Sequence, residues 1–73
     1  MPKLPVVTPK KLIKALQRQG FFVDRQRGSH IILRHIDGRM SVIPMHTRDI
    51  PNGTLKGILE DIDWTVEDLL GHL

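Results

Sequence analysis

The stretch "HIILRHIDGRMSVIP", residues 30–44, decides the fold. Two runs rich in branched aliphatics, 30–36 and 39–44, flank Asp37-Gly38, a dipeptide that favours a β-hairpin. Just upstream, "FFVDRQ" (21–26) reads as another strand, and Gly28-Ser29 is a tight turn into the His30 run. Consecutive strands joined by short turns make an antiparallel meander. Alternation then sorts the central strand, because successive side chains point to opposite faces. Ile31, Leu33 and His35 share one face; His30, Ile32, Arg34 and Ile36 share the other. The paired core-sized aliphatics Ile31 and Leu33 assign the first set to the packed side. His30 and Arg34 then stand on the open side.

The flanks read as helices. In "TPKKLIKALQRQG" (8–20), Thr8 suits the N-cap, Pro9 the first helical position and Gly20 the exit. Leu12, Ile13 and Leu16 fall on one arc, and Lys10, Lys11, Lys14 and Arg18 on the opposite one. Leu55, Ile58, Leu59 and Ile62 form the i, i+3, i+4, i+7 stripe of a second helix. Its start is open: Asp49 and Asn52 are both suitable caps, and Pro51 tolerates an early helical position. Thr65 with Asp68 resembles a capping box opening a short third helix. "MPKLPVV" (1–7) is an extended lead-in, since Pro2 and Pro5 cannot donate helix hydrogen bonds. The expectation is one α+β domain over residues 1–73, in the order α-β-β-β-α with a short extra C-terminal helix. A three-stranded antiparallel sheet carries the helices on one face, an arrangement like that of double-stranded-RNA-binding folds.

Composition narrows the function. The chain of 73 residues is too short for two independent cores. It has no cysteine, so disulfides and thiolate metal sites are excluded. No apolar run approaches the ~20 residues of a membrane span. These features predict a soluble, cytoplasmic protein. Charge is divided unevenly. Residues 1–59 hold all eleven Lys and Arg against Asp24, Asp37 and Asp49, a balance of +8; residues 60–73 hold five acids and no Lys or Arg. A basic body with an acidic end suits a polyanionic partner.

His30 is the candidate for chemistry. An imidazole can take or give a proton near neutral pH, and cationic neighbours favour its proton-accepting form. Arg25, Arg27 and Arg34 can hold a phosphodiester and stabilise charge growing on its oxygens. RNA carries its own nucleophile in the 2′-hydroxyl, so this route needs no metal or other cofactor. Rival chemistries fit poorly. His30 and His35 have opposite parity and cannot share a metal in a regular strand. Ser29 and His30 are adjacent, which points them apart, and no GxSxG elbow occurs. His46 follows a proline at the strand end and is either a proton donor to the leaving oxygen or a loop anchor. Trp64 is either a hydrophobic plug between the last helices or a base-stacking platform. His35 belongs to the packed side or the hairpin end, and His72 to an exposed tail. Of Phe21 and Phe22, one enters the core.

"GSHIILRHIDGR", followed by "VIPMH" and "GTLKGIL", closely resembles the HicA-type mRNA interferase toxins of toxin–antitoxin systems. The helix "KKLIKALQRQGF" and the "MPKLPVV" lead-in extend the likeness over nearly the whole chain. The resemblance implies a double-stranded-RNA-binding-like fold and metal-independent endoribonuclease activity on mRNA. It also implies a catalytic histidine in the G-S-H turn, here His30, and a HicB-type antitoxin that covers the active face. Lys10, Lys11, Lys14, Arg18, Arg25, Arg27, Ser29, Arg34 and His46 are the candidate RNA-binding residues. One departure is the loop "TRDIPNGTL", where many relatives carry a lysine-rich stretch; Arg48 is its only cation before Lys56. The competing readings are a non-catalytic RNA-binding module and a partner-binding domain of the same fold.

Overall fold

The computed structural model describes residues 3–45 and 48–73. Its elements run α1 (Pro9–Arg18), β1 (Phe22–Arg27), β2 (His30–Arg34), β3 (Met40–Pro44), α2 (Asn52–Asp61) and α3 (Val66–His72). The strands form an antiparallel sheet in the order β1-β2-β3. This is the expected α+β architecture.

Helix α1 begins as its sequence requires. The Thr8 hydroxyl accepts from the Lys11 N–H at 3.3 Å, and Pro9 opens the first turn. Leu12, Ala15 and Leu16 are buried against the sheet, and Ile13 packs at the margin. The chain leaves α1 through Gly20, whose φ is +93. A β-carbon there would also lie 2.8 Å from His35 Nε2, so glycine is required on two counts. Phe21 follows into the core while Phe22 turns outward.

One core sits between sheet and helices. Ile31, Leu33 and Ile43 meet Leu12, Leu16, Leu55, Ile58, Leu59, Ile62 and Leu69. The packed face of β2 is therefore the one that alternation assigned. Truncating a side chain such as Leu16 to alanine removes about 2–5 kcal/mol, a large fraction of a small domain's stability. Polar ties hold the helices to the hairpin. The buried Ser41 hydroxyl donates to Asp61 at 2.9 Å, and Arg39 Nη1 donates to the Ile62 carbonyl at 2.7 Å. The lead-in is pinned by the Ile50 N–H, which donates to the Val7 carbonyl at 2.9 Å.

Three local expectations change. Neither Asp49 nor Asn52 caps α2; Pro51 holds that position at φ −58, ψ 145, and Asn52 is the first helical residue. The proline ring sets the entry, without a capping side chain. Ile36 is not in the strand. Residues 35–39 form the hairpin turn, in which the His35 N–H donates to Arg39 O at 2.9 Å and the Gly38 N–H to His35 O at 3.0 Å. Ile36 therefore projects into solvent. His72 is not free in a tail: its ring stacks on Trp64 at 4.7 Å, and its carbonyl accepts from Arg18 Nη2 at 2.9 Å. The last turn of α3 thus folds back on α1, and Trp64 packs against the core. The Thr65–Asp68 capping box forms as expected.

Candidate active site on the open sheet face

The site is built from an irregularity in β1. Phe22 pairs with Arg34 and Val23 with Leu33, but Arg25, not Asp24, pairs with Ile32. Asp24 is the extra residue of a β-bulge. Directly opposed residues share a face. With unbroken alternation Val23, Arg25 and Arg27 would all point the same way. The bulge shifts the phase between them. Val23 shares the inner face with Leu33, while Arg25 and Arg27 share the outer face with Ile32 and His30.

His30 is the first residue of β2, exposed, with Arg27 across from it on one side and Pro44 on the other. The preceding turn has Gly28 at φ +57 in its first central position, the pattern of a type II′ hairpin. That turn is tied on both flanks. Gln26 Nε2 donates to the Gly28 carbonyl at 2.9 Å, and the Met45 N–H donates to the Ser29 carbonyl. A turn so held fixes where the imidazole emerges.

Arg27, Ser29 and His30 therefore gather at one end of the open face, and Arg25, opposite Ile32, stands further along the strand. Arg34 does not join them. It lies four residues from His30, about 13 Å along the strand at ~3.3 Å per residue. Its Nε donates to Asp24 Oδ2 at 3.1 Å, and Arg25 Nε is 3.8 Å from the same oxygen. The expectation that His30 and Arg34 serve one phosphate is thus revised: Arg27 is the cation opposite the imidazole. The rest of the face is apolar, with Phe22 and Met40 flanking Arg34 and Val42 opposite Ile32. Ile32 is only 8% exposed beneath its neighbours, whereas Phe22, Met40 and Val42 are 45%, 40% and 38% exposed.

Lys10, Lys11, Lys14 and Arg18 lie exposed on α1, in the helical layer and not on the His30 face. Lys11, Lys14 and Arg18 line a pocket of about 240 Å³ with Val6, Val7 and Leu73. His46 lies outside the described residues. His35 is structural: the Asp37 N–H donates to its Nδ1 at 3.1 Å, its Nε2 is 3.1 Å from the Gln19 carbonyl, and its ring meets Phe21 edge-on. The same Nδ1 also lies 3.1 Å from Asp37 Oδ2, and the Gln19 carbonyl is placed to accept from Nε2.

Asp24 is the site feature that sequence reading passes over. A signal for it exists. The Gly28-Ser29 turn sets Arg27 opposite His30, and strict alternation back from there aims Asp24 and Gln26 at the helices. An acid directed into an apolar layer argues for a phase break.

A sequence model of the HicA toxin family, described as HicA toxin of bacterial toxin–antitoxin systems, matches residues 9–64. That span runs from the first residue of α1 to Trp64 and includes the whole sheet. Comparison with curated proteins gave no match. Among the described residues no helix is long and apolar enough to cross a membrane. A family match over most of the chain, on a fold that presents the G-S-H turn at an open sheet face, leads to one conclusion: the chain belongs to the HicA toxin family, and its partner is an antitoxin.

Proposed function

We propose that this toxin is a metal-independent endoribonuclease acting on mRNA in the cytoplasm, with His30 as its proton-transfer group. The observation that carries the reading is the exposed imidazole with Arg27 directly across the ladder. In the reaction His30 removes the proton from a ribose 2′-hydroxyl. The 2′-oxygen bonds to the adjacent phosphorus, and the bond from phosphorus to the 5′-oxygen breaks. The leaving oxygen takes up a proton, giving a 2′,3′-cyclic phosphate and a 5′-hydroxyl. Arg27 and Arg25 stabilise the charge that builds on the phosphate oxygens. Ser29 contacts the strand beside the histidine, and His46 is a candidate proton donor to the leaving oxygen. No metal is needed, because the nucleophile is internal to the substrate.

Lys10, Lys11, Lys14 and Arg18 supply sequence-independent affinity for phosphates from the helical layer. A HicB-type antitoxin docks on the open face, where exposed Phe22 and Met40 flank Arg34, Val42 lies opposite Ile32, and together they offer apolar contact area.

The test compares wild type with His30→Ala on a labelled RNA in EDTA. His30 is exposed, so the variant folds normally. The reading requires cleavage by wild type in chelator and at least a ~100-fold loss in the variant, the low end for a positioned acid–base group. Equal cleavage by both proteins removes His30 from the mechanism. Loss of wild-type activity in EDTA removes the metal-free route. Salt-sensitive binding without scission by either protein leaves the RNA-binding module as the better description.

A further inference from the structure

Asp24 is the only acidic side chain on the open sheet face among the described residues. The other residues there are Phe22, Arg25, Arg27, His30, Ile32, Arg34, Met40, Val42 and Pro44. The bulge brings it out, because a residue in regular register before Arg25 would face the helices. Two guanidinium groups then converge on one of its oxygens: Arg34 Nε at 3.1 Å and Arg25 Nε at 3.8 Å. An anionic oxygen between two arginines is what a non-bridging phosphate oxygen of RNA would be in the same place. The hold is weak. The Arg34 contact is made by Nε alone, and the two side chains are 42% and 33% exposed. Exposed pairs of this kind contribute little net stability, so a polyanion with several phosphates can displace the carboxylate.

We propose that Asp24 is a resident stand-in for a substrate phosphate: it occupies Arg34 in the free protein and must be displaced when RNA binds, which lowers RNA affinity. This rests on the reading of the open face as an RNA-binding surface. The residue acts through Arg34 and is not a catalytic group. Its effect is selective. A single phosphate gains little by displacing a carboxylate already in place, whereas a strand anchored at Arg25 and Arg27 brings the next phosphates to Arg34 at high effective concentration.

The experiment measures binding of a fluorescein-labelled single-stranded RNA by anisotropy, in a His30→Ala background that prevents cleavage. Asp24→Asn keeps the size and hydrogen-bonding capacity of the side chain and removes its charge. It should tighten binding about three- to five-fold, the range a weak exposed ion pair can supply. The gain should disappear when Arg34→Ala is added. Glu67→Gln, the same charge change on the exposed first turn of α3, should give no gain. Unchanged or weaker binding by Asp24→Asn overturns the proposal, because Asp24 would then be a bystander or would hold Arg34 ready for RNA. A gain that survives Arg34→Ala also overturns it, by assigning the effect to general charge. Failure of the underlying reading looks different: the His30→Ala protein binds no RNA whichever residue stands at position 24.

Discussion

Arg27 faces His30 across the β1–β2 ladder, whereas Arg34 is on the same strand as His30 and bonds Asp24. The two arginines are therefore unequal. Arg27→Ala should slow single-turnover cleavage by about 10–100-fold, the range for a charge-assisted hydrogen bond to the reacting phosphate. Arg34→Ala should slow it less than about 5-fold. Equal losses would place the reacting phosphate between the two and displace Arg27 from its role.

Gly20 and Gly57 answer alanine in opposite directions. At Gly20 the φ of +93 and the His35 ring 2.8 Å away oppose a β-carbon. Gly20→Ala should destabilise by about 1–3 kcal/mol. Gly57 lies inside α2, and a β-carbon there would meet nothing within 4 Å, so alanine adds helix propensity at no steric cost. Gly57→Ala should stabilise by about 0.5–1 kcal/mol. At this chain length each kcal/mol moves the melting temperature by roughly 4–8 °C, which thermal unfolding resolves easily.

Acid should weaken the fold at two named carboxylates. Arg39, through its side chain and its backbone N–H, holds the Asp37 carboxyl below its usual 3.8. The Thr65 backbone N–H and hydroxyl do the same for Asp68. A lowered folded pKa means that the unfolded chain takes up the proton first. The contribution is complete above pH 3.8 and is lost as pH falls through the lowered folded values. Urea midpoints should hold steady down to about pH 4 and then drop. Asp37→Asn and Asp68→Asn should each lower the midpoint at neutral pH and flatten the acid limb. An acid limb unchanged in both variants would assign the loss to other groups.

Lys10, Lys11 and Lys14 stand away from the sheet face, so their removal should weaken binding without touching chemistry. Each Lys→Ala should reduce affinity for different RNA sequences by similar factors. Each should also lower the slope of log affinity against log salt by about 0.7, the value for one phosphate contact on a single strand. The maximal single-turnover rate at saturating protein should stay within about two-fold of wild type. An unchanged slope would mean that RNA does not reach α1.

Much of the fold is legible from local pattern. Thr8, Pro9 and Gly20 mark the ends of the first helix because each acts on its own backbone. The stripe from Leu55 to Ile62 and the Thr65–Asp68 box are equally local. Parity assigns Ile31 and Leu33 to the core because β2 is regular. Reading fails where a residue's place depends on a distant partner. The His72 ring is held by Trp64, and its carbonyl by Arg18, which is 54 positions away. The start of α2 depends on which of several suitable residues the incoming chain uses. At the candidate site, His30 and Arg27 are readable from the tight turn that joins them. The pairing of Arg34 with Asp24 is not, because period-two reasoning carries no account of a skipped register.

The bulge has a consequence at the level of the gene. The half-strands on either side of Asp24 are out of step by one position, so its codon is surplus to the pairing of the two strands. An in-frame deletion of that codon would set Val23 next to Arg25, the one inward and the other outward as they already are, and close the ladder into an unbroken register. The gene could therefore lose this acid without disturbing either face of the sheet, and the loss would take away only the group that Arg34 holds.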